Sequence, residues 1–215
     1  MVLPYQPNDP RGLEQSKNIP VIIGTTLHEF TASTYNPSLR GVSMDVARTE
    51  LEKKYGDKTE VFLSAFEKAY SNYKPQDLFD VDFIFRPSAV KHATLKFNQN
   101  GASVYTYLFA WESPVLDGIL RSTHCMDLPF VFNNITRCRK MTGGGSSAYE
   151  LADKISSAWI SFAKTGNPNT NELPEWKPYT VESGATMIFN EKCEVKYNYD
   201  KELLELVNSF PFRGF

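Results

Sequence analysis

The chain has 215 residues, enough for one domain with a sizeable core, and its 41% hydrophobic and 13% aromatic content argues against a disordered chain. Basic and acidic residues number 23 and 25, for a net charge of −2, and no basic stripe stands out; nucleic acid has no electrostatic footprint here. The uninterrupted apolar runs are far shorter than a bilayer crossing, which predicts a soluble protein with no membrane partner.

Taken from the N-terminus, residues 1–18 are rich in Pro, Asn and Asp and read as a surface arm. Met1-Val-Leu-Pro-Tyr5 lacks the charged and apolar regions of a signal peptide. Residues 20–25, Pro-Val-Ile-Ile-Gly-Thr, are a short apolar run suited to a buried parallel strand, followed by a loop over 26–34. Residues 43–101 read as helical. A first helix over 45–55 carries Val46, Leu51 and Tyr55 and ends at Gly56. A second over 59–73 carries Val61, Phe62, Ala65, Phe66, Ala69, Tyr70 and Tyr73 and stops before Pro75. A third begins near residue 86, turns Val90, Ala93, Thr94 and Phe97 inward, and is capped by Gly101.

Ser103–Trp111 is nearly all apolar, aromatic or β-branched and predicts a central strand. Ser147-Ala-Tyr-Glu150 matches a capping box, and Leu151, Ile155, Ala158, Trp159 and Phe162 then form one helical stripe, broken by Gly166 and Pro168. Short strands at Thr186–Phe189 and Glu194–Tyr197 pair through a turn at Asn190-Glu-Lys192, and an amphipathic helix over 200–208 follows. Strands alternating with long helical segments predict an α/β architecture with a mainly parallel sheet, though the strands are few for the length.

Cys125, Cys138 and Cys193 make neither a disulfide framework nor a zinc-ligand spacing, which points to a reducing, cytoplasmic compartment. His124 follows the predicted central strand, where loops at strand C-termini build active sites in open α/β sheets. A neutral imidazole there suits general-base work; the alternative is a capped or core histidine. Glu29 lies in the loop after the first strand, as an orienting carboxylate or as a solvated loop charge. Asp127 fits as the cap of a short helix with Pro129 in its first turn. Cys125 beside His124 reads as a small packed side chain, because catalytic Cys/His pairs are normally distant in sequence. Gly144-Gly-Ser146-Ser-Ala148 imitates a nucleophile turn only loosely: no strand precedes it, it lacks the last glycine, and it follows the histidine.

Three segments in this order carry a resemblance: Gly24-Thr-Thr-Leu-His28-Glu29, then Ser122-Thr-His124-Cys-Met-Asp127-Leu-Pro-Phe-Val-Phe132, then Trp159-Ile-Ser-Phe-Ala-Lys-Thr-Gly-Asn-Pro-Asn169 with Glu172-Leu-Pro-Glu-Trp176-Lys-Pro-Tyr179. Together they resemble the C-terminal half of a type B carboxylesterase, of the carboxylesterase/cholinesterase family and its bacterial para-nitrobenzyl-esterase-like form. The resemblance implies the C-terminal portion of an α/β-hydrolase fold, residues 1–215 forming one partial domain with a helical insertion at about 43–101. It implies serine hydrolysis of small carboxylic esters without metal or organic cofactor. His124 is then the catalytic base and Glu29 the acid of a Ser–Glu–His triad, in the chain order that fold uses.

The sequence contains no Gly-x-Ser-x-Gly, so the resemblance places the nucleophile upstream of Met1 and leaves this chain inactive alone, with the N-terminal half of the same domain as its partner. An interrupted sheet also predicts self-association. Phe30 and Cys125 stand where the family commonly has glycine, and His28 has no family role. The competing expectation is a non-catalytic, esterase-like fragment or interaction module.

Overall fold

The structure, a computed structural model, describes residues 4, 5 and 9–210. Four strands, β1 Val21–Thr26, β2 Val104–Phe109, β3 Thr186–Phe189 and β4 Glu194–Lys196, form one sheet in the order β1-β2-β3-β4. β1/β2 and β2/β3 are parallel, with Val21 opposite Val104 and Thr106 opposite Thr186; β3 and β4 form the expected antiparallel hairpin. Parallel neighbours need long crossovers, and helices fill them.

α1 Pro10–Gln15 precedes the sheet, and α2 Ala32–Tyr35, α3 Met44–Tyr55, α4 Thr59–Ala69, α5 Asp77–Asp80 and α6 Phe85–Phe97 lie between β1 and β2. α7 Leu128–Val131, α8 Arg139–Thr142 and α9 Ser146–Thr165 lie between β2 and β3, and α10 Lys201–Ser209 follows β4. Of the expected N-terminal arm, residues 1–3 and 6–8 lie outside the described residues.

Alternation along β2 assigns the layers. Tyr105 and Phe109 face a core with Met187, Phe189 and the α9 stripe of Leu151, Ala152, Ile155 and Ala158. Val104 packs on the other face with Ala93 of α6. With both faces covered, β2 reads as a continuous apolar run. A second core is mainly helical: Leu51 of α3, Phe62 and Phe66 of α4, Leu78 of α5 and Leu203 of α10. A buried ion pair links the layers, the Arg86 Nε–H donating to the Asp200 carboxylate at 2.8 Å and its Nη2 to Thr186 Oγ1 at 3.3 Å.

Several local expectations need correction. Val46 and Val61 point to solvent, and Ala47 takes the inward place on α3. α4 ends at Ala69, four residues short of Tyr73. The capping box does not form, because α9 begins at Ser146 behind Gly145, with no side-chain cap. Gly101 does not cap α6: the helix ends at Phe97 with Asn98 as its C-cap, and Asn100 takes the left-handed conformation with φ 52°. Gly101 serves a close approach, since a Cβ there would overlap the Lys17 carbonyl.

The segment from Trp159 to Tyr179 is a packing device. Gly166 ends α9 at φ 77°, and the chain returns so that Asn169 Oδ1 accepts the Trp176 N–H at 2.6 Å while its Nδ2 donates to the Trp176 carbonyl at 3.0 Å. Trp176 is fully buried, and its Nε1–H donates to the Thr106 carbonyl of β2 at 3.1 Å. The indole thus packs as a large apolar group with its polar tip satisfied.

Gly24 has an equally specific reason. A Cβ at this point of β1 would overlap the ring and carbonyl of Tyr107, its partner across the sheet. The bare glycine lets that ring lie close, with its hydroxyl donating to Asp127 at 2.8 Å. Gly24→Ala is expected to destabilise the fold by about 1–3 kcal/mol through overpacking, read as a lowered denaturant midpoint.

Candidate active site

The loop after β1 carries Glu29, which is 7% exposed. Its Oε1 accepts the Thr26 N–H at 2.8 Å, so the carboxylate folds back onto the end of its own strand. Asp82 N–H donates to the Leu27 carbonyl at 2.8 Å, tying this loop to the start of α6. The Asp82 carboxylate accepts N–H groups of Ile84, Phe85 and Arg86, ordering that helix start; burial raises its pKa despite those bonds.

His124 lies beyond β2, after an excursion closed by a bridge between Ser113 and Arg121. Its Nδ1 is 2.5 Å from Glu29 Oε2, and its backbone N–H donates to the Glu29 carbonyl at 3.1 Å. The histidine side chain is half exposed and the carboxylate nearly buried, at 53% and 8%. Phe30 and Phe85 stack beside the imidazole, with ring centroids at 5.6 and 6.0 Å. The aromatic residue at 30 thus forms part of an apolar shelf against the ring. The structure brings together the two residues that the sequence singles out, 95 positions apart.

The neighbours take roles the sequence did not reveal. Asp127 stands at the N-cap of α7, but its carboxylate makes no cap and accepts the Tyr107 hydroxyl instead. Burial raises its pKa. Cys125 is exposed, against the expectation of a packed side chain, and has φ 64°, the left-handed region that favours glycine. Ser146 is exposed at the start of α9, and the element before it is the helix α8, so it lies on no strand-to-helix turn.

Arg121 is 4% exposed and donates to Asp77 at 2.5 Å, Asp80 at 3.2 Å and Glu112 at 2.8 Å. Asp80 also accepts the N–H and hydroxyl of Ser33, so one guanidinium ties α5, α2 and the His124 loop together. Among the described residues, no three or more His, Cys, Asp or Glu gather as metal ligands. No helix among them is long and apolar enough to cross a membrane.

His28 is not an idle loop residue. It is 1% exposed, its Nδ1 lies 2.8 Å from Ser122 Oγ, and its Nε2 is buried without a hydrogen-bond partner. Burial, then the positive charges of Arg121 and Lys74, hold its pKa well below the ordinary imidazole value. An unfolded histidine takes up its proton below about pH 6.5, whereas the buried ring resists it. From that pH down to the folded pKa the unfolded chain binds more protons, so stability falls as pH falls. Unfolding midpoints measured from pH 7 to 5 are expected to decline less in His28→Phe than in the native chain.

With this geometry in place, the comparisons bear on it. The sequence profile of the carboxylesterase family matches residues 1–207. The chain is 29% identical to the para-nitrobenzyl esterase of Bacillus subtilis over 219 residues, covering 99% of the chain and 42% of that protein. It is 26% identical to the phenmedipham hydrolase of Pseudarthrobacter oxydans, covering 81% of the chain and 36% of that protein. An esterase structure from Clostridium hathewayi superposes with a TM-score of 0.77 at 34% identity, covering 88% of the chain and 37% of that protein. A para-nitrobenzyl esterase structure superposes at 0.65 with 25% identity, covering 98% and 42%. The chain therefore spans about two fifths of the length of the proteins it resembles, and within that span it has the α/β-hydrolase fold, a mostly parallel sheet flanked by helices.

Proposed function

Because the chain belongs to the carboxylesterase family, we propose that it supplies the base and acid of a Ser–Glu–His triad for carboxylic ester hydrolysis, His124 as base and Glu29 as acid. The observation that carries this is the 2.5 Å contact between His124 Nδ1 and Glu29 Oε2. A carboxylate on Nδ1 selects the tautomer with the proton there, leaving Nε2 of a half-exposed ring free to accept one. Glu29 is held by Thr26 and cannot swing away without losing a buried hydrogen bond.

In the reaction, His124 takes the proton of a serine hydroxyl as that oxygen attacks the ester carbonyl. It returns the proton to the departing alkoxide, leaving an acyl-enzyme. Water, activated by the same imidazole, then releases the acid. The charge on the imidazolium is offset by Glu29 throughout. The serine belongs to a Gly-x-Ser-x-Gly turn absent from this sequence, and we assign it, with the oxyanion donors, to the N-terminal half of the same hydrolase domain as partner. Residues 1–215 form one partial domain, with the helices of 43–101 as an insertion.

A polypeptide joining this chain to a carboxylesterase segment with Gly-x-Ser-x-Gly should hydrolyse aryl esters and take a fluorophosphonate label on that serine. A label on any serine of this chain refutes the assignment. A second reading, a non-catalytic esterase-like module, predicts no turnover in the joined polypeptide.

The chain alone is expected to self-associate. β1 is an edge strand, and Phe132 and Ile160 are 71% and 55% exposed. Gel filtration tests this; a monomer that unfolds cooperatively contradicts it.

A further inference from the structure

We propose that His28, through Ser122, is a positioning residue that sets the register between the acid loop and the base loop, and so places His124 on Glu29. The inference rests on the triad assignment for its functional meaning, but its geometry is independent of it. The two loops meet as a short ladder. At its buried end the His28 N–H donates to the Ser122 carbonyl at 3.3 Å, and the His28 ring bonds the Ser122 hydroxyl at 2.8 Å. At its exposed end the His124 N–H donates to the Glu29 carbonyl at 3.1 Å, and the His124 ring bonds the Glu29 carboxylate at 2.5 Å. Each rung thus pairs a backbone bond with an imidazole bond, and the two imidazoles come from opposite loops.

The backbone bonds alone are weak determinants, because there are only two of them and the deeper one is long at 3.3 Å. The buried imidazole–hydroxyl contact adds a side-chain requirement. Ser122 is fully buried, so a shift of one residue would drive Arg121 or Thr123 into its place. Arg121 is already anchored by Asp77, Asp80 and Glu112, which holds the ladder from its other side.

The test is long-range ¹H–¹⁵N NMR of the histidine rings in the full chain, with backbone amide spectra as the check that each variant is folded. In the native chain His124 should show a hydrogen-bonded Nδ1–H. Glu29→Gln should remove that signature, and if it does not, the triad pairing itself fails. His28→Leu and Ser122→Ala should each lose or broaden the same signal without touching either partner of the His124–Glu29 bond. His28→Asn, whose amide nitrogen can occupy the place of Nδ1, should restore it. Ser122→Ala removes one oxygen and serves if His28→Leu does not fold. Loss with Glu29→Gln but no change in folded His28→Leu or Ser122→Ala overturns the positioning role and leaves the triad pairing standing.

Discussion

Replacing His124 by alanine, in a polypeptide that joins this chain to a Gly-x-Ser-x-Gly segment, is expected to lower kcat/KM for an aryl ester by about 10⁴–10⁶-fold. In the proposed reaction the imidazole moves the proton between serine, leaving group and water, so its removal stops both halves. Glu29→Gln should cost on the order of 10⁴-fold. The amide fills the same space, but it no longer offsets the imidazolium or enforces the tautomer with the proton on Nδ1. Combining the two substitutions should cost little more than His124→Ala alone, because the carboxylate acts through the ring. Initial rates with an aryl ester supply the measurement. Full additivity of the two losses, or substantial activity in His124→Ala, overturns the assignment.

Arg121→Ala is expected to produce the largest loss of stability, about 3–5 kcal/mol. The residue is nearly buried, and its guanidinium faces Asp77, Asp80 and Glu112. Truncation leaves Asp80, whose side chain is fully buried, with its charge poorly compensated. Asp80 keeps only its neutral donors, the Ser33 N–H and hydroxyl and the Gln76 amide. Denaturant titration of the native chain and Arg121→Ala measures the difference. The combined change Arg121→Met with Asp80→Asn should recover part of it, because removing both charges relieves the unpaired one. A loss below about 1 kcal/mol would show that the network behaves like an exposed ion pair. Arg121 also precedes the Ser122–His124 ladder, so Arg121→Ala in the joined polypeptide should depress kcat as well as stability.

Much of this molecule is legible in one dimension. β1 and β2 are short apolar runs ending near Gly24-Thr and Phe109, and the hairpin turns at the polar Asn190-Glu-Lys192. α3 stops at Gly56, α9 at Gly166, and α10 carries Leu203 and Leu204 on its buried side. Such features depend on neighbours within a turn or two, so periodicity and chain-breaking residues report them. Errors arise where two local solutions compete. Ser147 could cap a helix, but α9 starts one residue earlier; Asp127 could cap α7, but the Tyr107 hydroxyl claims its carboxylate.

The sequence by itself determined the four strands and the longer helices, the family, and the two residues proposed to move and hold a proton, because motif and local periodicity carry that information; the short helices α1, α2, α5 and α8 it did not reveal. Only the tertiary structure decided which groups meet: Glu29 with His124 at 2.5 Å, His28 with Ser122 across 94 positions, and Arg121 among Asp77, Asp80 and Glu112. The physical reason is range. Helix and strand formation responds to adjacent residues, whereas the partner of a buried charge or imidazole is chosen by which distant loops the packed layers bring within hydrogen-bond reach, and by the free-energy cost of leaving that group unpaired.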